Sequence, residues 1–144
     1  MELTWIYSQE NVNWDELSNL YRVAPLGQKL PADLMVAFSN SMFKCFVYDE
    51  GKLIAAGRAL ADGRDCSYLC DIAVHPEYQG KGLGRDVVLK LVNLSKEHNK
   101  IILYAAPGKD TFYLKLGFKC MATAMAIFKN QEQALKDGVI VDEP

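Results

Sequence analysis

At 144 residues, with 50% hydrophobic and 24% charged side chains, the chain has the length and composition of one soluble domain with a sizeable core. A formal net charge of -2 argues against a nucleic-acid binder, which usually carries a basic excess, while leaving a local basic patch open. No apolar run approaches the roughly 18 residues needed to cross a membrane, and Met1-Glu2-Leu3-Thr4-Trp5 lacks the basic start and apolar core of a signal peptide. A cytoplasmic protein is the expectation. Cys45, Cys66, Cys70 and Cys120 are scattered without zinc-site spacing, so buried or half-buried reduced thiols are expected, with no metal.

Leu3 to Tyr7 is a short β-prone run. Asn13 is placed to cap a helix to about Arg22, with Glu16 in the capping-box position and Trp14, Leu17, Leu20 and Tyr21 on one stripe. Pro31 suits the first residue of a second helix, through about Phe38. Phe43 to Tyr48 and Lys52 to Leu60 form a hairpin across Glu50-Gly51. After the Asp62-Gly63 turn, Ser67 to Val74 reads as an apolar strand interrupted by one acid, Asp71. Leu83 to about His98 is an amphipathic helix and Ile101 to Ala105 a short strand. Thr111 to Leu116 is a brief helix ended by Gly117, and Phe118 to Phe128 a long final strand. The polar residues from Asn130 onward have room for one helical turn at Ala134 and Leu135. The order implies a single α/β domain over residues 1–130, with residues 131–144 as a tail. Its sheet is mixed, antiparallel early and parallel where the long helix crosses over.

The informative segment is Val74-His75-Pro76-Glu77-Tyr78-Gln79-Gly80-Lys81-Gly82-Leu83-Gly84-Arg85. A strand ends, a glycine-rich turn follows and a helix begins, exposing backbone N–H groups at the positive end of a helix dipole. Lys81 and Arg85 add formal positive charge. The alternative is an empty strand-to-helix turn with exposed basic residues. As a phosphate cradle the segment fails the two familiar patterns. Gly82 stands where a Walker A loop needs Ser or Thr, and Arg85 or Val87 where a dinucleotide fingerprint needs its third glycine.

What remains, Gln-x-x-Gly-x-Gly at Gln79, Gly82 and Gly84, closely resembles the acetyl-CoA pyrophosphate loop of the GNAT superfamily of N-acetyltransferases. Phe112-Tyr113-Leu114-Lys115-Leu116-Gly117-Phe118 is similar to that superfamily's F-Y-x-x-x-G-F motif and stands in the expected order. The resemblance spans about Phe43 to Phe128. It implies a mixed, mostly antiparallel sheet of six to seven strands, splayed at the cofactor site and flanked by about four helices.

The resemblance also implies roles. Ile72, Ala73 and Val74 would pair through their backbone with the pantetheine and acetyl carbonyl. Gln79, Gly80, Lys81, Gly82, Leu83, Gly84 and Arg85 would hold the pyrophosphate, with Phe112 and Tyr113 also at the acetyl-CoA site. Tyr113 is the implied general acid for the departing thiolate, a task suited to a phenol protonated at neutral pH; its alternative is a packing aromatic. Asp71 is the candidate general base, on the strength of a carboxyl in an apolar strand, and its alternative is a structural carboxylate held by backbone groups or Arg58. His75 is a rival by chemistry, with a structural role before Pro76 favoured, and His98 reads as a solvated or dipole-stabilising residue near a helix end. One departure stands out: the stretch Ala105 to Asp110 has no Asn where many relatives place one.

For the acceptor, the resemblance points to a wall formed by Tyr21 to Ser41, and there is a loose likeness to the subgroup holding the plant chloroplast serotonin and lysine acetyltransferases. Phe38, Phe43, Tyr68, Asp62 and Asp71 would suit a cationic arylalkylamine or polyamine, whereas Arg58 would attract an acidic acceptor; both stay open. The favoured function is acetyl transfer to a small-molecule primary amine by direct attack in a ternary complex. The alternatives are a protein-lysine or N-terminal acetyltransferase, or a non-catalytic acyl-CoA-binding module. A homodimer through an exposed final strand is compatible with the sequence, and neither nucleic acid nor membrane is an expected partner.

Overall fold

The computed structural model describes residues 2–143; Met1 and Pro144, which the sequence reading places in the amino-terminal run and the tail, lie outside them. The described residues form two compact units, the first ending at Leu103 and the second starting at Tyr104.

The first unit holds β1 (Leu3–Ile6), α1 (Trp14–Val23), α2 (Pro31–Ser39), β2 (Phe43–Asp49), β3 (Lys52–Ala61), β4 (Cys66–Val74), a 3-10 turn at Pro76–Tyr78, α3 (Leu83–Leu94) and β5 (Lys100–Ile102). The strands lie in the order β1-β2-β3-β4-β5, antiparallel except for the parallel β4–β5 pair, which α3 connects. The early antiparallel meander and the single crossover follow from loop length: a tight turn returns the chain antiparallel, and only a helix-length link brings it back parallel.

Asn13 caps α1 as expected, its Oδ1 accepting the Glu16 N–H at 3.0 Å. The capping box is only half formed, because Glu16 Oε2 instead accepts the Leu53 N–H at 3.0 Å and so ties α1 to β3. Pro31 opens α2. Leu17, Leu20 and Tyr21 of α1 and Leu34 and Phe38 of α2 bury their stripe against Phe46, Leu53, Ala56 and Ala73 of the sheet. Each of these leucines and phenylalanines contributes about 1.5–3 kcal/mol on full burial. Behind the sheet, α3 buries Leu83, Val87, Val88 and Leu91. It comes so close that a Cβ on Gly57 would sit 3.0 Å from both Leu91 Cδ1 and Val87 Cγ1.

α3 stops at Leu94, short of the expected His98. The Ser95 hydroxyl donates back to Leu91 O at 2.8 Å, competing with the helical ladder, and His98 Nε2 accepts the Gly63 N–H at 2.9 Å. His98 is therefore buried rather than solvated, with its side chain 3% exposed and its ring edge-on to Phe43.

The second unit contains α4 (Asp110–Leu114) and α5 (Gln131–Lys136). The turn foreseen at Ala134 and Leu135 is thus a short helix, capped by Asn130 Oδ1. The sheet departs from the expected six to seven strands and about four helices: among the described residues it has five strands, accompanied by five helices. The missing strand is Phe118 to Phe128, which has no regular structure and leaves Met125 97% and Ile127 96% exposed. A strand is defined by a partner's hydrogen bonds, and three alanines, Ala122, Ala124 and Ala126, dilute the run's β-propensity. β5 is likewise shorter than expected, ending at Ile102. Cys45 is buried and Cys66 and Cys70 half-buried as free thiols, but Cys120 is exposed.

Candidate functional site

The glycine-rich segment folds as its sequence implies. His75 Nδ1 accepts the Glu77 N–H at 3.2 Å and its ring stands edge-on to Tyr78, so this histidine shapes the turn. Gln79 turns its amide inward, donating to Val74 O at 2.8 Å and to Ala24 O at 3.0 Å, which anchors the start of the loop. Gly80 and Gly82 then adopt φ of +79° and +85°, conformations that favour glycine. Gly82 is the N-cap of α3 and offers no side chain, so no side-chain cap engages the first N–H groups of the helix. A Cβ at Gly80 would meet nothing within 4 Å, and one at Gly82 would lie 3.4 Å from Arg85 Nη2. Lys81 and Arg85 remain at the surface, Lys81 5.5 Å from the centre of the Tyr78 ring. Open backbone, a helix amino terminus and two cations together fit a pyrophosphate.

Just before this loop the sheet opens. β4 pairs with β5 only at Cys66, Ser67 and Tyr68, so Leu69 to Val74 run on without β5 beside them. On the other edge, Val74 and Ala73 pair with Ala55 and Ala56 of β3, and Cys70 with Arg58. Two residues, Asp71 and Ile72, therefore stand opposite the single Gly57, which is a β-bulge. Asp71 takes φ +55°, a left-handed conformation that aspartate tolerates better than most side chains.

The bulge is held by three side chains, from α1, β3 and the segment before α2. The Tyr21 hydroxyl donates to Asp71 O at 2.6 Å. Arg58 Nε donates to Asp71 Oδ2 at 2.8 Å, and Lys29 Nζ lies 3.3 Å from Asp71 Oδ1. Arg58 Nη1 also donates to Ser41 Oγ at 3.2 Å, and its guanidinium stands 5.8 Å from the centre of the Phe38 ring. Burial, followed by the neighbouring Asp71 charge, pushes the Tyr21 phenol well above its usual range, so it stays protonated and can donate. Asp71 is thus ion-paired at both oxygens. Its partner Arg58 is legible in the sequence; Lys29 is not, because nothing in its own neighbourhood signals a carboxylate 42 positions away.

Asp62, the other acid considered for an acceptor, is spent differently. Its Oδ1 accepts the N–H groups of Arg64, Asp65 and Cys66, which hold the carboxyl down to about 2.

In the second unit, Tyr113 lies on α4 between two edge-on rings, Phe112 at 5.0 Å and Phe118 at 5.8 Å. Burial raises its phenol above the ordinary value, which keeps it protonated at neutral pH.

Comparison with known proteins agrees with this geometry. The sequence profile of the acetyltransferase (GNAT) family matches residues 8–118. The uncharacterised N-acetyltransferase ycf52 of Porphyra purpurea is 36% identical over 126 residues, covering 82% of this chain and 72% of its own length. Chloroplastic serotonin N-acetyltransferase 2 of Oryza sativa subsp. japonica is 38% identical over 88 residues, covering 58% of this chain and 44% of its own. Among solved structures, the probable acetyltransferase SA2161 of meticillin-resistant Staphylococcus aureus shares the fold with a TM-score of 0.79 at 24% identity, covering 88% of this chain and 99% of that one. The chain belongs to the GNAT family and is an acetyltransferase.

Proposed function

We propose that the protein transfers an acetyl group from acetyl-CoA to the primary amine of a small molecule. The observation that carries this reading is the pairing of an opened β4 edge with the glycine cradle that directly follows it. When bound, acetyl-CoA supplies the activated thioester acetyl group, which passes directly to a neutral amine in a ternary complex.

The chain's own groups divide the work. The N–H groups from Gly80 to Gly84, including that of Leu83, bind the pyrophosphate, with Gln79, whose own N–H donates to Pro76 O, anchoring the loop, and Lys81 and Arg85 neutralise it. The backbone of Ile72, Ala73 and Val74 orients the pantetheine arm, and Phe112 borders it. Tyr113 holds the proton that the departing thiolate requires, which its raised phenol pKa keeps in place at neutral pH. Asp71 is less suited to take the amine's proton than a lone carboxylate would be, since both oxygens already receive cationic N–H donors. We assign it to holding Arg58 and Lys29 in position, with the proton leaving through water. Action in the cytoplasm is part of the same proposal.

The test is thiol release from acetyl-CoA over a panel of small amines and a lysine peptide, for wild type and Tyr113→Phe. Turnover of free amines that falls about 10²–10⁴-fold in the variant, with acetyl-CoA affinity unchanged, supports both the reaction and the acid. Turnover of the peptide alone moves the acceptor to a protein, and acetyl-CoA binding without any turnover overturns the catalytic reading.

A further inference from the structure

Three cations converge on the α1/α2 face of the sheet near the bulge. Arg58 of β3 stands directly opposite Lys44 of β2 in the strand register, an arrangement that costs stability when like charges face each other. Lys44 is held there by neutral acceptors, Phe38 O at 2.6 Å and Gln9 Oε1 at 2.8 Å. Lys29 reaches the same cluster from the segment before α2, its ammonium 5.7 Å from the centre of the Tyr21 ring.

Against these three positive charges stands one carboxylate. Among the described residues, the only ion pairs that Lys29, Arg58 and Lys44 make are the two with Asp71. The cluster is left with an excess of positive charge in a half-buried place, where an uncompensated charge is expensive. It is not sealed, however. The Lys29 side chain is 30% exposed, and Arg58 and Asp71 are 14% and 15% exposed. Of the five N–H donors of the Arg58 guanidinium, its bonds to Asp71 and Ser41 occupy two. Asp71 is also the residue just before Ile72, Ala73 and Val74, where the acetyl group is proposed to lie.

The same charges count against a cationic acceptor. Asp71 already carries two cations, so the acid nearest the proposed acetyl position is not free to hold a substrate ammonium group.

We propose that Lys29 and Arg58 form an anion subsite of the acceptor pocket, and that the acceptor is an amine bearing a carboxylate, of the amino-acid class. This rests on the small-molecule acetyltransferase reading. A guanidinium and an ammonium converging from two elements would grip the carboxylate, and the amine would extend from there toward β4's open edge.

The experiment uses matched pairs, each an amino acid and the amine left when its carboxylate is removed. Their kcat/KM values are compared in wild type, Lys29→Met and Arg58→Lys, with acetyl-CoA affinity measured alongside. The expected result is a wild-type preference for the carboxylated partner of about tenfold or more, falling about tenfold through KM in Lys29→Met, with acetyl-CoA affinity unchanged. Arg58→Lys keeps the charge and the Asp71 pair but loses the fork, and should retain an intermediate preference. Preference for the decarboxylated amines in wild type, or a preference unchanged by Lys29→Met, overturns the subsite. If no amine is turned over, the acetyltransferase reading fails, and calorimetric titration with the N-acetylated amino acids decides this one separately. Binding that weakens about tenfold in Lys29→Met sustains the anion subsite, and absent binding overturns it.

Discussion

The glycine loop and the bulge at Asp71 are neighbours on one stretch of chain, yet different physics builds them. The loop is shaped mainly by its own backbone: two positive-φ glycines and an uncapped helix start, all within a few residues. Its distant ties sit at its start, where Gln79 donates to Ala24 O and the Tyr78 hydroxyl to Asp49 Oδ2. The bulge is shaped by side chains far away in sequence, Tyr21, Lys29 and Arg58, which hold a non-glycine residue at φ +55°. A locally built element keeps its form when distant residues change. An element over-determined from outside depends on every one of its partners, and strained backbone persists only where it is so determined.

That contrast is most sharply broken by Arg58→Met. It removes one of the two cations on a half-buried carboxylate and leaves Ser41 without its guanidinium partner. The loss should be about 2–4 kcal/mol of stability, toward the lower end because Lys29 remains, measured by urea denaturation. The loop is expected to survive this change, so acetyl-CoA affinity in the folded fraction should move by less than about threefold. A collapse of cofactor affinity would show that the loop, or the Ile72 to Val74 backbone that follows the bulge, depends on this distant pair.

Next in size is Gly57→Ala, at the residue facing the bulge from β3. Its new methyl would press 3.0 Å from Leu91 Cδ1 and Val87 Cγ1 and 3.2 Å from Ile72 Cγ1. Overpacking of this kind should cost about 1–3 kcal/mol in the same denaturation experiment. Gly82→Ala reverses the pattern. The left-handed N-cap would cost about 1–2 kcal/mol, and the methyl would crowd Arg85 beside the proposed pyrophosphate. Acetyl-CoA affinity should fall about tenfold, as read by titration calorimetry, while the preference among acceptors stays the same.

The same contrast explains what the sequence discloses. The glycine loop, the Asn13 cap of α1, the Pro31 start of α2 and the stripe of α1 are all set by spacing over a few residues, and each forms where its residues place it. Asp71 was visible as an oddity, an acid in an apolar strand, and Arg58 as one of its partners. Lys29 was not, because pairing across 42 residues depends on which loop the fold brings to β4. His98 misled for the same reason: its helix-end position suggested solvent, but the β3–β4 turn closes over it. The Phe118 to Phe128 run shows the opposite error. Its pattern suits a strand, yet pattern alone supplies no partner, and the run is left irregular with Met125 and Ile127 exposed.

Asp62 gives the smallest effect and the cleanest control, because it is a carboxylate held by local backbone rather than by distant cations. Its pKa is depressed from 3.8 to about 2, chiefly by the Arg64 and Asp65 N–H groups. A carboxyl whose folded pKa lies below its unfolded value binds fewer protons in the folded state, so its contribution is present in full above about pH 4. That contribution fades as the pH falls from about 4 toward 2, because there the unfolded state takes up the proton first. Asp62→Asn should therefore slightly lower the melting temperature at pH 7 and flatten its decline across that acid window, leaving acetyl-CoA affinity and acceptor preference untouched. A changed acceptor preference in this variant would mean that Asp62 reaches the substrate after all, and that the turn at residues 62–65 is part of the site rather than scaffold. An unchanged acid profile would mean that its three backbone bonds are not kept in solution, and that local construction is weaker here than in the glycine loop.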